Sequence, residues 1–428
     1  MSAIIKPITA LLISAAIILA ANGLDGVLLP LRGSIEGFTA LELGLLGAFY
    51  YGGFTLGCLI SPRIIARVGH IRAFLMFAAV ATVAPLLEAM QPDPQLWWIF
   101  RGLTGVCFAG IMNVVESWLT SVATNVNRGR IMSTYALINF GALTAGQQLT
   151  NLADPDDFRL FSLVAILCTL AAVPLALTLS QSPTPPARPQ FRLRELYRVS
   201  PAAVAGCLGG GLANGAFWSL APVYARESGL EPGLIAAFIS LAVVGGALAQ
   251  WPVGRISDSV DRRRVLIVLC AGASVVGLLL FLYAGASSEV KLTLAAIFGI
   301  FALPVYWIST AHANDLADPG DAVNISASLL LLFGLGAIFG PIFAAIIKEQ
   351  LGHGSIFLYT AGIHLLIALV IAYRIMQRGG VLPDEDRVTY DELPVGSTPA
   401  AMEFAATDTP DASPEATEAA EKPDKNGG

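Results

Sequence analysis

The sequence predicts an all-α membrane protein with twelve transmembrane helices in two six-helix halves related by a pseudo-twofold axis. Two observations predict this class. Hydrophobic residues make up 55% of the 428-residue chain and charged residues only 13%, against roughly 25% charged residues in a soluble domain. A pattern also recurs after 192 residues, because Asn22-Gly23 returns as Asn214-Gly215 and Pro30 returns as Pro222. Repeated membrane units are a common feature of secondary transporters.

Twelve apolar stretches each approach the length needed to cross a bilayer, about 20 residues. They cover residues 8–31, 43–65, 73–90, 96–121, 131–152, 158–179, 201–225, 233–256, 265–285, 292–313, 323–347 and 355–375. The first stretch also has the composition of a cleaved signal peptide, since Lys6 precedes it. Its repeat partners lie in the middle of the chain, where no signal peptide can lie, so we expect it to stay in the mature protein.

Composition divides the chain into four segments. We expect six-helix halves at 1–180 and 201–378, joined at 181–200 by a proline-rich and arginine-rich linker that lies on the cytoplasmic side. Residues 379–428 are predicted to be a disordered tail, since they are acidic and poor in large apolar residues. A docking role for this tail is the alternative.

Arginine and lysine favour cytoplasmic loops. With the N-terminus inside, sixteen of these residues fall on the inner side and five on the outer side. We therefore expect a multi-pass protein of a cell inner membrane with both termini in the cytoplasm.

The five cysteines all fall inside predicted spans without metal-ligand spacing. No cofactor fingerprint, paired catalytic carboxylates or basic-aromatic array is present. The sequence therefore predicts a monomeric protein that is not an enzyme, needs no cofactor or metal, and binds no nucleic acid. Its expected partners are the lipid bilayer, a small-molecule substrate and protons.

Two loops have the composition of a recurring motif between the second and third spans of each half. After span eight the chain reads Gly254-Arg-Ile-Ser-Asp258, followed by Ser-Val-Asp261-Arg262-Arg263-Arg264. This loop resembles the signature of the major facilitator superfamily. The first-half copy keeps Arg63, Arg67 and Arg72 but has Ala66 in place of the usual Asp.

The resemblance covers residues 1 to about 378, and the run Glu116-Ser-Trp-Leu with Asn127-Arg-Gly-Arg130 is most similar to the YcaD-like group of bacterial facilitators. It implies the fold of that superfamily. It also implies a gating role for the loop residues. These are Arg63, Arg67, Arg72, Gly254, Asp258, Asp261, Arg262, Arg263 and Arg130.

Ionisable residues inside a bilayer are costly and usually face a cavity or a partner. Asp25, Arg101 and Glu116 are the candidates for proton coupling. In the superfamily the first and fourth helices line the cavity, which implies that Asp25 and Arg101 meet there, either as a coupling pair or as a permanent structural ion pair. Glu116 is either a second proton site or a latch that pairs with Arg67 or Arg63.

Matched polar residues in repeated halves favour a binding site near the midplane. Asn22 and Asn214 occupy matched positions, and hydrogen bonding between packed helices is the alternative role. Further candidates for the substrate cavity are Trp218, Asn139, Gln147 and Tyr306.

Together these features predict a secondary active transporter that moves a small organic solute by alternating access, coupled to protons. Two alternatives remain open at this stage. One is a multidrug or metabolite efflux antiporter, although the Gly-Pro pair typical of many such exporters is missing from span five. The other is a membrane sensor or scaffold that keeps the fold without transporting.

Overall fold

A computed structural model of the chain describes residues 2–124, 127–178, 191–317 and 322–377. These residues form fourteen α-helices and one 3-10 helix, η1. The α-helices are α1 (Ser2–Ile35), α2 (Ala40–Val68), α3 (His70–Met90), α4 (Pro94–Val122), α5 (Arg128–Gln148), α6 (Phe158–Ala176), α7 (Leu193–Val199), α8 (Pro201–Glu227), α9 (Pro232–Ser259), α10 (Arg262–Leu282), α11 (Ser288–Ala302), α12 (Val305–Asn314), α13 (Ala322–Leu351) and α14 (Ser355–Gln377); η1 is Leu149–Leu152.

Ten of the described segments are long and apolar enough to cross a membrane, with α11 and α12 counted as one. The prediction of an all-helical membrane protein is thereby supported. Helices α5 and α8 fall outside this set, since α5 carries several amide and hydroxyl side chains and α8 is rich in glycine. Residues 1, 125–126, 179–190, 318–321 and 378–428, which include the first half of the predicted linker and the whole predicted tail, lie outside the described residues.

The predicted tenth span is not one continuous helix. Helix α11 ends at Ala302 and α12 begins at Val305, with Leu303 and Pro304 between them. Proline has no N–H to donate, and its ring clashes with the carbonyl of the preceding turn. The predicted span at 292–313 is confirmed as one candidate crossing, Ser288–Asn314, and the structure adds that its helix is interrupted at Leu303 and Pro304.

Local sequence explains where several helices begin. Thr39 and Glu42 form a capping box at α2, in which Glu42 N donates to Thr39 Oγ1 over 3.2 Å and Thr39 N donates to Glu42 Oε2 over 2.7 Å. Asp93 caps α4 by accepting from the N–H of Leu96 at 2.9 Å. These caps satisfy N–H groups that a helix start leaves without partners.

Glycines bring pairs of helices into backbone contact. A Cβ atom at Gly53 would overlap the carbonyl of Gly102, where α2 meets α4, and one at Gly245 would overlap Ala296, where α9 meets α11. Gly53 and Gly245 are 192 residues apart. Gly23 and Gly215, also 192 apart, make equivalent contacts of α1 with α5 and of α8 with α13. In lipid, such small residues allow the close packing that drives helix association.

One face of the bundle contains the loops that follow α1, α3, η1, α8, α10 and α13, and we call it the α1–α2 face. Here residues of the first half of the chain hydrogen-bond to residues of the second. Leu41 N donates to Glu349 Oε1 at 3.1 Å, and Arg226 Nη1 donates to Ser34 Oγ at 2.9 Å. Gln148 Nε2 donates to Ser240 Oγ at 2.7 Å. These bonds join the two parts of the chain at this face.

We expect Gly53→Ala to destabilise the protein by about 1–3 kcal/mol, since its methyl group has no space between α2 and α4. Gly52→Ala is the matched control, because a Cβ atom at Gly52 meets nothing within 4 Å. The control should be neutral or slightly stabilising through its better helix propensity. Thermal unfolding in detergent measures both, and equal midpoints would contradict the packing described here.

Candidate functional site: a central cavity and its buried ion pairs

A cavity of about 200 Å³ lies at the centre of the bundle. Its wall is formed by α1, α2, α4, α5, α8, α9, α12 and α13, together with Phe191. Aromatic rings from both parts of the chain dominate the wall. They belong to Tyr50, Tyr51, Phe54, Phe108, Phe191, Trp218, Tyr306, Trp307 and Phe333. Such a surface suits an amphipathic small molecule.

Polar side chains interrupt this aromatic wall. All six residues that the sequence singled out for the cavity lie in it, namely Asn22, Asn139, Gln147, Asn214, Trp218 and Tyr306. Two of them already have partners: Asn22 Oδ1 accepts from Tyr50 Oη at 3.2 Å, and Gln147 Oε1 accepts from Ser240 Oγ at 2.8 Å. Gln250, a buried amide in the same wall, was overlooked by the sequence analysis.

Two of the wall residues present polar atoms without partners. Asn139 is 1% exposed, and neither atom of its amide has a hydrogen-bond partner among the described residues. The same holds for the hydroxyl of Tyr306, which is 4% exposed. Buried polar groups are normally paired. Asn139 on α5 and Tyr306 on α12 therefore offer a donor and acceptors to a bound molecule.

The structure brings Asp25 and Arg101 together. Arg101 Nη1 donates to Asp25 Oδ2, and both side chains are buried. The guanidinium also lies over the ring of Tyr50, with 4.4 Å between Arg101 Cζ and the ring centroid. Arg101 lines the cavity, whereas Asp25 lies behind it, outside the wall. A neutral ion pair is thus built into the cavity wall with only its cation facing inward.

A third charged residue belongs to this region, and sequence reasoning missed it. Glu88 lies near the end of α3, is 2% exposed, and is acted on electrostatically by both Asp25 and Arg101. The signal was available, because Glu88 is a carboxylate inside predicted span three, as Asp25 is inside span one.

Glu116 lies elsewhere, toward the opposite end of α4. It is 2% exposed, and its Oε1 accepts from Tyr135 Oη at 3.2 Å. Arg63 and Arg67, its predicted latch partners, are exposed, and Arg63 donates to the carbonyl of Leu59 at 3.4 Å. The latch role of Glu116 stays a prediction.

The loop after α9 forms a compact ionic network. Arg262 is 2% exposed and binds Asp315 at 2.8 Å and Asp258 at 3.1 Å. Asp261 caps α10 through Arg263 N at 2.9 Å and binds the guanidinium of Arg263 at 2.7 Å. Burial alone would raise the pKa of Asp261, but the hydrogen bonds and charge of Arg263 outweigh it, so the pKa is lowered. Asp261 is therefore ionised at neutral pH, and its contribution to stability is lost only as the pH falls through this lowered value.

The described contacts in the corresponding region of the first half include two between neutral side chains. Asn113 Nδ2 donates to Ser61 Oγ at 2.7 Å, and His70 Nε2 lies 3.0 Å from Ser117 Oγ. Arg72 and Arg130 are exposed, and Gly254 in the second half is buried. Of the predicted gating residues, Arg262 pairs with Asp258, and Arg263 pairs with Asp261 in the same loop.

The sequence profile of the Major Facilitator Superfamily matches residues 11–331. The chain is 24% identical over 373 residues to the uncharacterized MFS-type transporter YcaD of Escherichia fergusonii, covering 87% of this chain and 96% of that protein. It is 25% identical over 379 residues to the protein of the same name from Salmonella arizonae, with the same coverage.

Two solved structures share the fold. The nucleoside transporter NupG superposes with a TM-score of 0.69 at 12% identity, covering 85% of this chain and 98% of that one. A D-xylose-proton symporter superposes with a TM-score of 0.64 at 14% identity, covering 85% and 97%. At these identities the likeness shows the fold alone.

The match to the profile of the Major Facilitator Superfamily shows that this protein is a membrane transporter rather than an enzyme. The profile match over most of the sequence makes the assignment specific. The chain belongs to the major facilitator superfamily.

We expect Asp315→Asn to destabilise the protein by about 3 kcal/mol, because it removes the buried carboxylate that pairs with the buried guanidinium of Arg262 at 2.8 Å. Glu195→Gln is the control. It removes the exposed partner of Arg192 and should cost no more than about 1 kcal/mol. Unfolding midpoints in detergent compare the two variants, and similar shifts would show that the network adds little to stability.

Proposed function

We propose that this protein is a proton-coupled secondary transporter that moves a small organic solute across a cell inner membrane by alternating access. The observation that carries the proposal is the buried pair of Asp25 and Arg101, in which Arg101 lines the central cavity and Asp25 lies behind it. A nearby cation favours the ionised form of a carboxylate, and burial disfavours it. Separation of the pair would therefore change how readily the carboxylates close to Arg101 take a proton.

The proposal includes twelve membrane crossings in two halves, at 1–180 and 201–378. Helices α5 and α8 supply the two crossings beyond the ten apolar ones. They contain 21 and 27 residues, and at 1.5 Å per residue both exceed the roughly 30 Å of a bilayer core. The glycine contacts that recur after 192 residues support a common plan for the two halves.

Cavity chemistry favours a neutral or zwitterionic solute with an apolar face. Among the described wall residues, Arg101 carries the only formal charge, and Asp25 already compensates it. Aromatic rings provide the apolar contacts, and Asn139 with Tyr306 provides hydrogen bonds from the two halves. The fold neighbours named for a nucleoside and for D-xylose are consistent with solutes of this size.

Alternating access requires contacts that form at one face while the other opens. The hydrogen bonds at the α1–α2 face supply one such set. The network of Arg262, Asp258 and Asp315 lies at the opposite face. The exposed Arg63, Arg67, Arg72 and Arg130 lie on that side too, which we assign to the cytoplasm together with both termini.

The test uses purified protein in proteoliposomes with an imposed pH gradient. Uridine and D-xylose serve as first probes, followed by any metabolite that raises the unfolding temperature of the protein. We expect the gradient to accelerate uptake by the wild type. Asp25→Asn and Arg101→Ala should each abolish this acceleration, because either change removes the ion pair.

Asp157→Asn is the matched control. Asp157 lies in an exposed pair with Arg159, and asparagine still caps α6. Gradient-driven uptake should be unchanged in this variant. The double variant of Asp25 and Arg101 should unfold at a higher temperature than either single variant, since it leaves no unpaired buried charge. Full coupling in both single variants would overturn the proposal.

Deletion of the residues after Arg378 tests whether the protein transports or only signals. A transporter whose cavity and gates lie within 1–378 should keep its flux without the acidic tail. Flux in proteoliposomes, compared between full-length and shortened protein, measures this. A stabilising solute that neither form carries would favour the sensor.

A further inference from the structure

Glu88 is held in a fixed place beside the ion pair. It lies two residues before the end of α3, and its carbonyl oxygen accepts from Trp97 Nε1 at 3.1 Å. The same Nε1 donates to the carbonyl of Gln91 at 2.9 Å, which fastens the end of α3 to the start of α4. The carboxyl of Glu88 is buried, and its Oε1 has no hydrogen-bond partner among the described residues.

The groups around Glu88 contain too little positive charge for two ionised carboxylates. Asp25 on α1 and Arg101 on α4 are the charged residues whose fields act on it. Helix α2 contributes the hydroxyls of Tyr50 and Tyr51 close to Arg101, and α6 contributes the thiol of Cys168 close to Asp25. None of these three groups is cationic.

Arg101 compensates one carboxylate, and the structure pairs it with Asp25. If Glu88 were ionised as well, this buried cluster would carry a net negative charge, which is costly in a low-dielectric interior. A protonated Glu88 makes the cluster neutral and needs no cation. The second oxygen of Asp25, Oδ1, has no hydrogen-bond partner among the described residues, so it can accept a hydrogen bond.

We propose that Glu88 is a proton-binding site that carries one proton while Asp25 is paired with Arg101, and that this proton is the one coupled to transport. The coupling of this proton to transport rests on the proposed function, whereas the protonation of Glu88 does not. Glu88 is near the α1–α2 face, so opening of that face admits water to it. The O–H bond of Glu88 then breaks, the proton passes to water, and the carboxylate remains in the field of Arg101.

Glu88 is not part of the cavity wall, and neither is Asp25. A change at Glu88 should therefore alter coupling without removing any group that contacts the solute. This separates a coupling role from a binding role. It also separates Glu88 from Asn139 and Tyr306, whose replacement should weaken binding itself.

Infrared difference spectroscopy of the full-length protein at neutral pH, in water and in heavy water, tests the protonation of Glu88. The spectrum of Glu88→Gln is subtracted from that of the wild type. We expect the loss of a carboxylic-acid carbonyl band that shifts on deuteration. Glu231→Gln is the control and should lose a carboxylate band, because Glu231 is an exposed residue at the start of α9. Glu88→Asp should keep an acid band, which guards against a fold defect in the glutamine variant.

Flux completes the test. In proteoliposomes Glu88→Gln should still exchange uridine, D-xylose or the stabilising metabolite across the membrane, but should lose acceleration by the pH gradient. Loss of a carboxylate band instead of an acid band in Glu88→Gln would overturn the proposal whatever the flux shows. If Glu88→Gln loses the acid band but its uptake is still fully accelerated by the pH gradient, the coupling role of Glu88 is overturned. If the pH gradient does not accelerate uptake by the wild type, proton coupling itself is overturned, and so is the coupling role of Glu88. The infrared result still decides whether Glu88 binds a proton.

Discussion

A charge buried inside a membrane protein is costly unless a nearby group compensates it, because neither lipid nor packed apolar side chains can solvate it. That constraint explains where the ionic contacts lie. Arg101 is paired with Asp25, and Arg262 is paired with Asp315. Each pair joins helices that are distant in sequence, so each also fixes how those helices pack. Where no cation is available, as at Glu88, a bound proton is the remaining way to reach neutrality.

The two halves meet this constraint differently. Asp25 corresponds, after 192 residues, to Phe217, which packs against Phe298 and Phe357 with ring centroids 5.6 and 6.4 Å away. An ion pair in the first half is thus replaced by an aromatic cluster in the second. At the other face, the second half contains the pairs of Arg262 with Asp258 and Asp315, whereas the described contacts of the first half include the hydrogen bond of Asn113 with Ser61. The helix frame repeats, whereas its charges do not.

Hydropathy and the repeat were enough to predict the helices, and together with the polar residues inside the spans they located six residues of the cavity wall. The break at Pro304 was missed because a proline inside an apolar run is often tolerated, as it is at Pro62 and Pro341. Glu88 was missed because its importance comes from neighbours on α1 and α4 that no local pattern brings together. The unpaired atoms of Asn139 and Tyr306 likewise depend on side-chain geometry, which the sequence does not encode locally.

The hydrogen bonds at the α1–α2 face have an energetic consequence. They are few, and several join exposed atoms, such as those of Leu41 with Glu349 and of Arg226 with Ser34. Each contributes about 1 kcal/mol net. A single elementary charge crossing a membrane potential releases about 2.3 kcal/mol per 100 mV. That energy alters the ratio of two conformations by about fiftyfold. The energy of one charge crossing the membrane is therefore larger than that of any one of these hydrogen bonds. If one ion crosses in each transport cycle, the membrane potential changes the populations of the conformations in which this face is open or closed.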